Sequence, residues 1–264
     1  MADTQFCSVG SQAPLGTERF RIYNGAVLFD GTTGATPTSG AGTRLMWCPA
    51  KAAFRAGIVS GTQWDDAGVG SYSVAFGDDT KASGSYSGVW GGANTASGIG
   101  ATACGVGSSA ALRGQMAVAS NQFSAAGDAQ RSNLCLMRSS SDATAVELTL
   151  DGGAPGAGTR LTIASGKLYR FRIELSCTCT ASGGTLAGQV ATWEFTGAIK
   201  NKGGTTTLVS CNAKFDGDSD MTALSAVVSA DDANDCLALT CTGTAVGTPN
   251  TFHWHAAVYL SEVA

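Results

Sequence analysis

The sequence predicts an all-β fold: a short parallel β-roll followed by an antiparallel, jelly-roll-like β-sandwich. Three observations point there. Two consecutive segments, Ser71–Gly84 and Ser85–Gly98, are identical at seven of fourteen positions, and short Gly-punctuated repeats of strand formers mark stacked β architectures. Glycine accounts for 36 of 264 residues while charged residues are only 14%, a composition of many tight turns. The second half alternates apolar and polar residues with the period of two that half-buried strands require.

The chain divides into residues 1–40, an attachment arm and first strands; 41–128, a lead-in and β-roll; and 129–264, a C-terminal knob. Gly10, Pro14 and Gly16 make residues 1–16 an irregular arm. A strand pair is expected around Phe20, Ile22, Val27 and Phe29, ending at the turn signal Asp30-Gly31. A Gly/Thr/Pro/Ser loop over 31–43 precedes the apolar stretch Thr43–Gly57, with Trp47 and Phe54, and Gly61–Asp66 leads into the repeats.

The repeats continue loosely through Ile99–Gly114 and Gln115–Gly127. Stacked by position, the fourth residues are Val74, Gly88, Thr102 and Val118, and the sixth are Phe76, Trp90, Cys104 and Ser120. The fifth, on the opposite face of a strand, are Ala75, Val89, Ala103 and Ala119, and the seventh is Gly in three of four copies. Each copy reads as a strand, a turn and a shorter return segment. Such a coil is too thin to bury a core alone. Packing on neighbouring coils and on other subunits is expected through Val74, Phe76, Trp90, Tyr72 and Tyr86.

Beyond Ala129, strands are expected in Ala143–Leu150, Arg160–Ala164, Lys167–Cys179, Gln189–Ile199, Thr205–Cys211, Leu224–Ser229, Cys236–Thr240 and Thr251–Val263. In Lys167–Cys179 the odd residues from Tyr169 to Cys179 form the apolar face. The expected knob core includes Phe171, Ile173, Trp193, Phe195, Trp254 and Val258.

The net charge of −4 without a Lys/Arg cluster excludes a nucleic-acid footprint. No apolar run approaches the roughly 18 residues of a membrane span, and Met1–Cys7 has no basic stretch leading into an apolar one, so no secretory signal is expected. Release in a virus particle would still carry the protein outside a cell. The nine cysteines include no C-x-x-C pair, and their odd number forbids a complete intramolecular disulfide set. They read either as buried thiols or as cross-links to partners made in an oxidising exterior. Cys7 and Cys48 are the cross-link candidates, Cys7 because nothing in its arm would bury it.

Catalytic chemistry finds little footing. His253 and His255 are the only histidines; spaced i, i+2, they suit a polar strand face, or a metal on a trimer axis. There is no G-x-S-x-G. Asp216–Asp220 imitates the start of a calcium loop but has Met221 and Val227 where that loop needs Gly and Glu, so a solvated turn is expected. Asp65-Asp66, Asp78-Asp79 and Asp231-Asp232 read as turn residues, with a glycosidase pair as the rival. The recurring Tyr72, Tyr86, Phe76 and Trp90 read as packing, with a sugar-binding ladder as the rival. No cofactor is implied.

Gly42–Trp47, Phe54–Gly57, Gly61–Asp66 and the Ser-Val-Ala-Phe-Gly…Ala-Ser-Gly repeat resemble bacteriophage tail-fibre and spike proteins. The repeat is similar to the head repeat of trimeric autotransporter adhesins, which implies a left-handed parallel β-roll in a tight trimer. Trp193–Asn201, Gly203–Val209, Val228–Asp235 and the terminal Trp254…Val258…Glu262-Val263 resemble the terminal domain of phage fibres. Two departures are the very short repeat array and the high cysteine content. The resemblance implies a non-enzymatic, homotrimeric virion-surface protein, held by its N-terminal arm to other virion proteins and contacting a host glycan or protein. A disulfide-linked collar or cement protein and a polysaccharide-degrading spike are the alternatives.

Overall fold

In a computed structural model, residues 28–29 and 31–264 are described. The predicted strand pair around Phe20 and the arm carrying Cys7 lie outside them, apart from Leu28 and Phe29 of the former. The described chain is all-β: a β-solenoid of about three turns leads into a large antiparallel sheet region.

The hairpin β1 (Gly42–Cys48) and β2 (Ala53–Val59) opens the solenoid. It is followed by β3 (Val74–Asp78), β4 (Lys81–Ala82), β5 (Gly88–Gly92), β6 (Thr95–Ala96), β7 (Thr102–Val106), β8 (Ser109–Ala110) and β9 (Met116–Ala119). Strands β2, β3, β5, β7 and β9 pair in parallel on one side, and β4, β6 and β8 on the other. Val74, Gly88, Thr102 and Met116 align across successive coils, so each coil is fourteen residues long. The fourth coil corrects the stacking expected from sequence. Met116, Ala117 and Val118 occupy positions four to six, not Val118, Ala119 and Ser120. The slip is two residues, so the expected faces keep their parity.

The solenoid buries its core by stacking coil on coil, as coils this thin require. Ala75, Ala82, Val89, Ala96, Ala101, Ala103, Ala110 and Ala117 are fully buried and pack together. Small side chains let the two walls approach closely, and two glycine columns make the corners possible. A Cβ on Gly77 would stand 1.9 Å from the carbonyl oxygen of Gly91, and one on Gly91 2.1 Å from that of Gly105. In the other column a Cβ on Gly84 would lie 2.2 Å from the Gly98 oxygen. Gly77 and Gly91 also have φ of +122° and +110°, which L side chains avoid.

The knob contains β10 (Ala129–Ser141), β11 (Ala145–Glu147), β12 (Leu161–Thr162), β13 (Leu168–Ser182), β14 (Val190–Lys202), β15 (Thr205–Gly217), β16 (Ser225–Asp231), β17 (Cys236–Thr242) and β18 (Asn250–Val263). Strand β9 pairs antiparallel with β10, so the solenoid wall runs without a break into the knob. The result is one eleven-stranded sheet ordered β1-β2-β3-β5-β7-β9-β10-β18-β13-β14-β15. A four-stranded sheet of β11, β12, β16 and β17 lies on one face of its knob half and shares its core. The two-layer region is thus a large sheet partly covered by a small one.

Candidate functional site

On the inner face of the knob sheet, Phe171, Ile173, Trp193, Phe195, Trp254 and Val258 are all buried in that core, with Cys177 and Cys179 continuing their series. Trp254 donates its indole N–H to Ser140 Oγ at 2.9 Å. These side chains build the core of the knob.

The outer face of the solenoid is different. Position four of each strand, read across the sheet, gives Trp47, Phe54, Val74, Gly88, Thr102 and Met116. Position six gives Leu45, Ala56, Phe76, Trp90, Cys104 and Val118. None of these twelve residues is charged. At about 4.8 Å per strand the stripe is ~24 Å long. Trp90 is 42% exposed and Met116 55%, while Phe54 and Phe76 meet at a centroid distance of 5.7 Å. The stripe stops at the knob, where the next strand pairs Arg131 with Val118 and Asn133 with Met116. Val74, Phe76 and Trp90 therefore line the outside of the coil.

Tyr72 and Tyr86 occupy a corner of the solenoid. They stack at 4.9 Å between centroids with 14° between planes, and both are exposed.

Each end of the alanine core is plugged by a polar group. Arg55 takes the inward position in register with Ala75 and is fully buried. It donates to the carbonyls of Phe54 and Ser73 at 2.8 and 2.9 Å, to Ser73 Oγ at 2.8 Å and to the Ala82 carbonyl at 2.9 Å. Burial pulls its pKa down to about 10, which leaves it charged at neutral pH. At the other end a cavity of ≈ 230 Å³ is lined by Gln115, Gln130, Lys167, Tyr169 and Glu262 among others. Gln130 Nε2 donates to Glu262 Oε2 at 2.9 Å and Gln115 Nε2 to Oε1 at 3.5 Å. Burial raises the pKa of Glu262 against the lowering effect of hydrogen bonds from Ser132 and Gln130. The even residues Phe252, Trp254, Ala256, Val258 and Leu260 of β18 are buried in a row. Extending it by one step reaches Glu262.

The described cysteines are all unpaired. Cys48 is buried beside Met46 and Trp64, and burial raises its thiol pKa, so cross-linking it would require that cluster to open. The exposed thiols are Cys135 and Cys211, which the sequence did not single out.

The paired aspartates, apart from Asp78 at the end of β3, are tied to neighbouring loops. Asp65 accepts from the Gly40 N–H at 2.7 Å, and Asp66 pairs with Lys51 at 3.1 Å. Asp79 accepts from Ser60 and Gln63. Asp231 accepts from the Asn234 N–H at 3.2 Å, and Asp232 from that of Thr206 at 2.5 Å. Asp216 and Gly217 end β15, and Asp218 accepts from the Val190 N–H at 2.9 Å. His253 and His255 point outward from β18, beside Thr178 and Ser176 of β13. Among the described residues, no group of three or more His, Cys, Asp or Glu is placed to hold a metal, and no helix is long and apolar enough to cross a membrane.

No protein-family model matches the chain, and no curated protein matches it. Among solved structures, the tailspike protein of Acinetobacter phage vB_ApiP_P1 overlaps 73% of the chain at 9% identity with a TM-score of 0.26. The chain spans 47% of that tailspike's length. A likeness this slight decides neither fold nor function.

Proposed function

We propose that this chain is a non-enzymatic bacteriophage virion protein, displayed on the particle surface as a homotrimer. The uncharged outer stripe of the solenoid carries the reading. It is a flat, regular face of a chain that already buries its own core, so its apolar side chains are surplus to folding and available for assembly. The motifs shared with phage fibres and adhesin heads supply the virion context. The N-terminal arm is the attachment point to other virion proteins, and the knob points toward the host. Asp65, Asp79, Asp231 and Asp232 support a non-enzymatic role, since the hydrogen bonds above employ them in loops.

Light scattering on the purified chain gives the first test. A mass three times that of the chain is expected, and Phe76→Asp with Trp90→Lys should return it to the monomer mass while leaving the strand circular-dichroism signal. A folded parent monomer at micromolar concentration would sink the trimer. Gold-labelled antibody on intact particles tests the location independently, and labelling that misses the particle surface would overturn the virion reading.

A further inference from the structure

We infer that Tyr86, together with the open space over Gly100, forms a stacking site for one pyranose ring of a surface polysaccharide. The inference deepens the host-contact reading above and rests on the protein being exposed on a particle.

The argument starts from a comparison inside the molecule. One corner of the solenoid carries a column of left-handed residues: Ala52, Tyr72, Tyr86, Gly100 and Gly114, with φ of 46°, 58°, 60°, 67° and 65°. The same turn is therefore made with Gly in the third and fourth coils and with Tyr in the first and second. Tyrosine is a poor choice for this backbone, because bulky L-residues with positive φ are strained. Its ring offers no folding compensation from the core, since Tyr72 and Tyr86 are 60% and 64% exposed. Strained, exposed aromatic residues at successive rungs are a feature kept for something outside the chain.

The geometry says what fits. The rings repeat at 4.9 Å, the step between coils. A Cβ placed on Gly100 or Gly114 would meet nothing within 4 Å. The stack therefore ends at Tyr86, and the next two steps of the column carry no side chain, a slot ~10 Å long at the strand spacing. Ser85, Ile99 and Arg113 each precede a column residue, and Ile99 is exposed. A tyrosine ring is apolar across its face and polar at its tip. A pyranose is its complement, with a C–H face and a rim of hydroxyls that Ser85 and Arg113 can meet. A folded protein partner needs about 800 Å² on each side, far more than two rings and two glycines provide. A nucleobase would bring phosphates to a chain of net charge −4 without a basic cluster.

The test uses the full chain and hexasaccharides of glucose, galactose, mannose, rhamnose and N-acetylglucosamine, with binding read by saturation-transfer NMR and calorimetry. At least one should bind the parent at millimolar affinity or better and saturate from tyrosine ring protons. Tyr86→Gly restores the residue the column uses elsewhere, and Gly100→Tyr fills the slot with a residue the column already tolerates. Each should weaken binding at least about tenfold, and Tyr86→Gly should melt no lower than the parent. The proposal is overturned if no probe binds, if either variant binds as tightly as the parent, or if Tyr86→Gly melts several degrees lower or changes oligomer mass. That last result would make the pair a packing element. Failure here leaves the particle-labelling experiment untouched, and a chain absent from particles leaves the sugar titration readable.

Discussion

Arg55 donates to both the carbonyl and the hydroxyl of Ser73, at 2.9 and 2.8 Å, in the first rung of the alanine core. Its partners are neutral oxygens, and Nε has none among the described residues. Removing the guanidinium leaves buried acceptors unmet and opens a void, so Arg55→Ala should cost about 3–5 kcal/mol in urea unfolding. Arg55→Met fills the space without the buried charge, and replacing buried charge by apolar volume is often tolerated. It should recover at least half of the loss; equal losses for the two variants would show that volume is not what matters at this position.

The glycine columns predict a sharp positional contrast. Gly91→Ala places a methyl 2.1 Å from a backbone oxygen at positive φ and should cost roughly 3 kcal/mol or more. Gly92→Ala, one residue away, meets nothing within 4 Å and should stay within about 0.5 kcal/mol of the parent. Similar melting temperatures for the two would contradict the corner geometry.

Glu262 should set a pH dependence of the junction. Its folded pKa lies above the ordinary 4.5 because of burial. The protonated form is thus favoured by folding, and its stabilisation is complete below the unfolded pKa. It is lost as pH rises from about 4.5 through the folded value. Glu262→Gln should abolish that decline. A variant that keeps the parent's slope would place the titration elsewhere.

Asp128 should act in the opposite sense. Desolvation pushes its pKa up, but N–H groups of Ala125, Ser124 and Phe123 together outweigh it and hold the pKa at about 2. Its contribution is present above the unfolded value of 3.8 and lost as pH falls through about 2. Asp128→Asn should flatten acid unfolding in that window and speed amide exchange at residues 123–125. Unchanged exchange there would mean the loop does not depend on the carboxylate.

Thiol labelling of the native chain reports the stripe. Cys135 and Cys211 are exposed and should react fast, while the buried Cys177, whose pKa burial raises to about 12, should be spared. Cys104 lies in the stripe beside Trp90 and should be protected in the parent, yet become reactive in the Phe76→Asp, Trp90→Lys variant. Fast Cys104 labelling in the parent would show that the stripe is open to solvent.

The parts of this fold most legible in the sequence were those with a strong period. The fourteen-residue coil and the odd series of β13 declare themselves because their buried positions hold residues unlike their neighbours. Strand β10 went unlisted because its inward positions include Gln130, Ser132 and Ser140, which mute the apolar alternation. The fourth coil was misaligned because Met116 and Val118 are equally plausible at position four, and only hydrogen-bond register separates them. The largest side chains of the repeat are not the ones that fill the solenoid core. Phe76 and Trp90 stand outside, while the inward column is Arg55, Ala75, Val89, Ala103 and Ala117. Nothing in one sequence announces that an arginine ends a row of alanines.

The main solenoid wall is bounded by the β1–β2 hairpin at one end and by β10 at the other. Between these fixed ends the coils are interchangeable units. Inserting or deleting one coil of fourteen residues should move the knob along the axis by one strand spacing, about 4.8 Å, without altering either end. Any other change in length would break the glycine columns. The repeat count is thus a ruler, through which genetic duplication can adjust how far the knob stands from its anchor without redesigning a single contact.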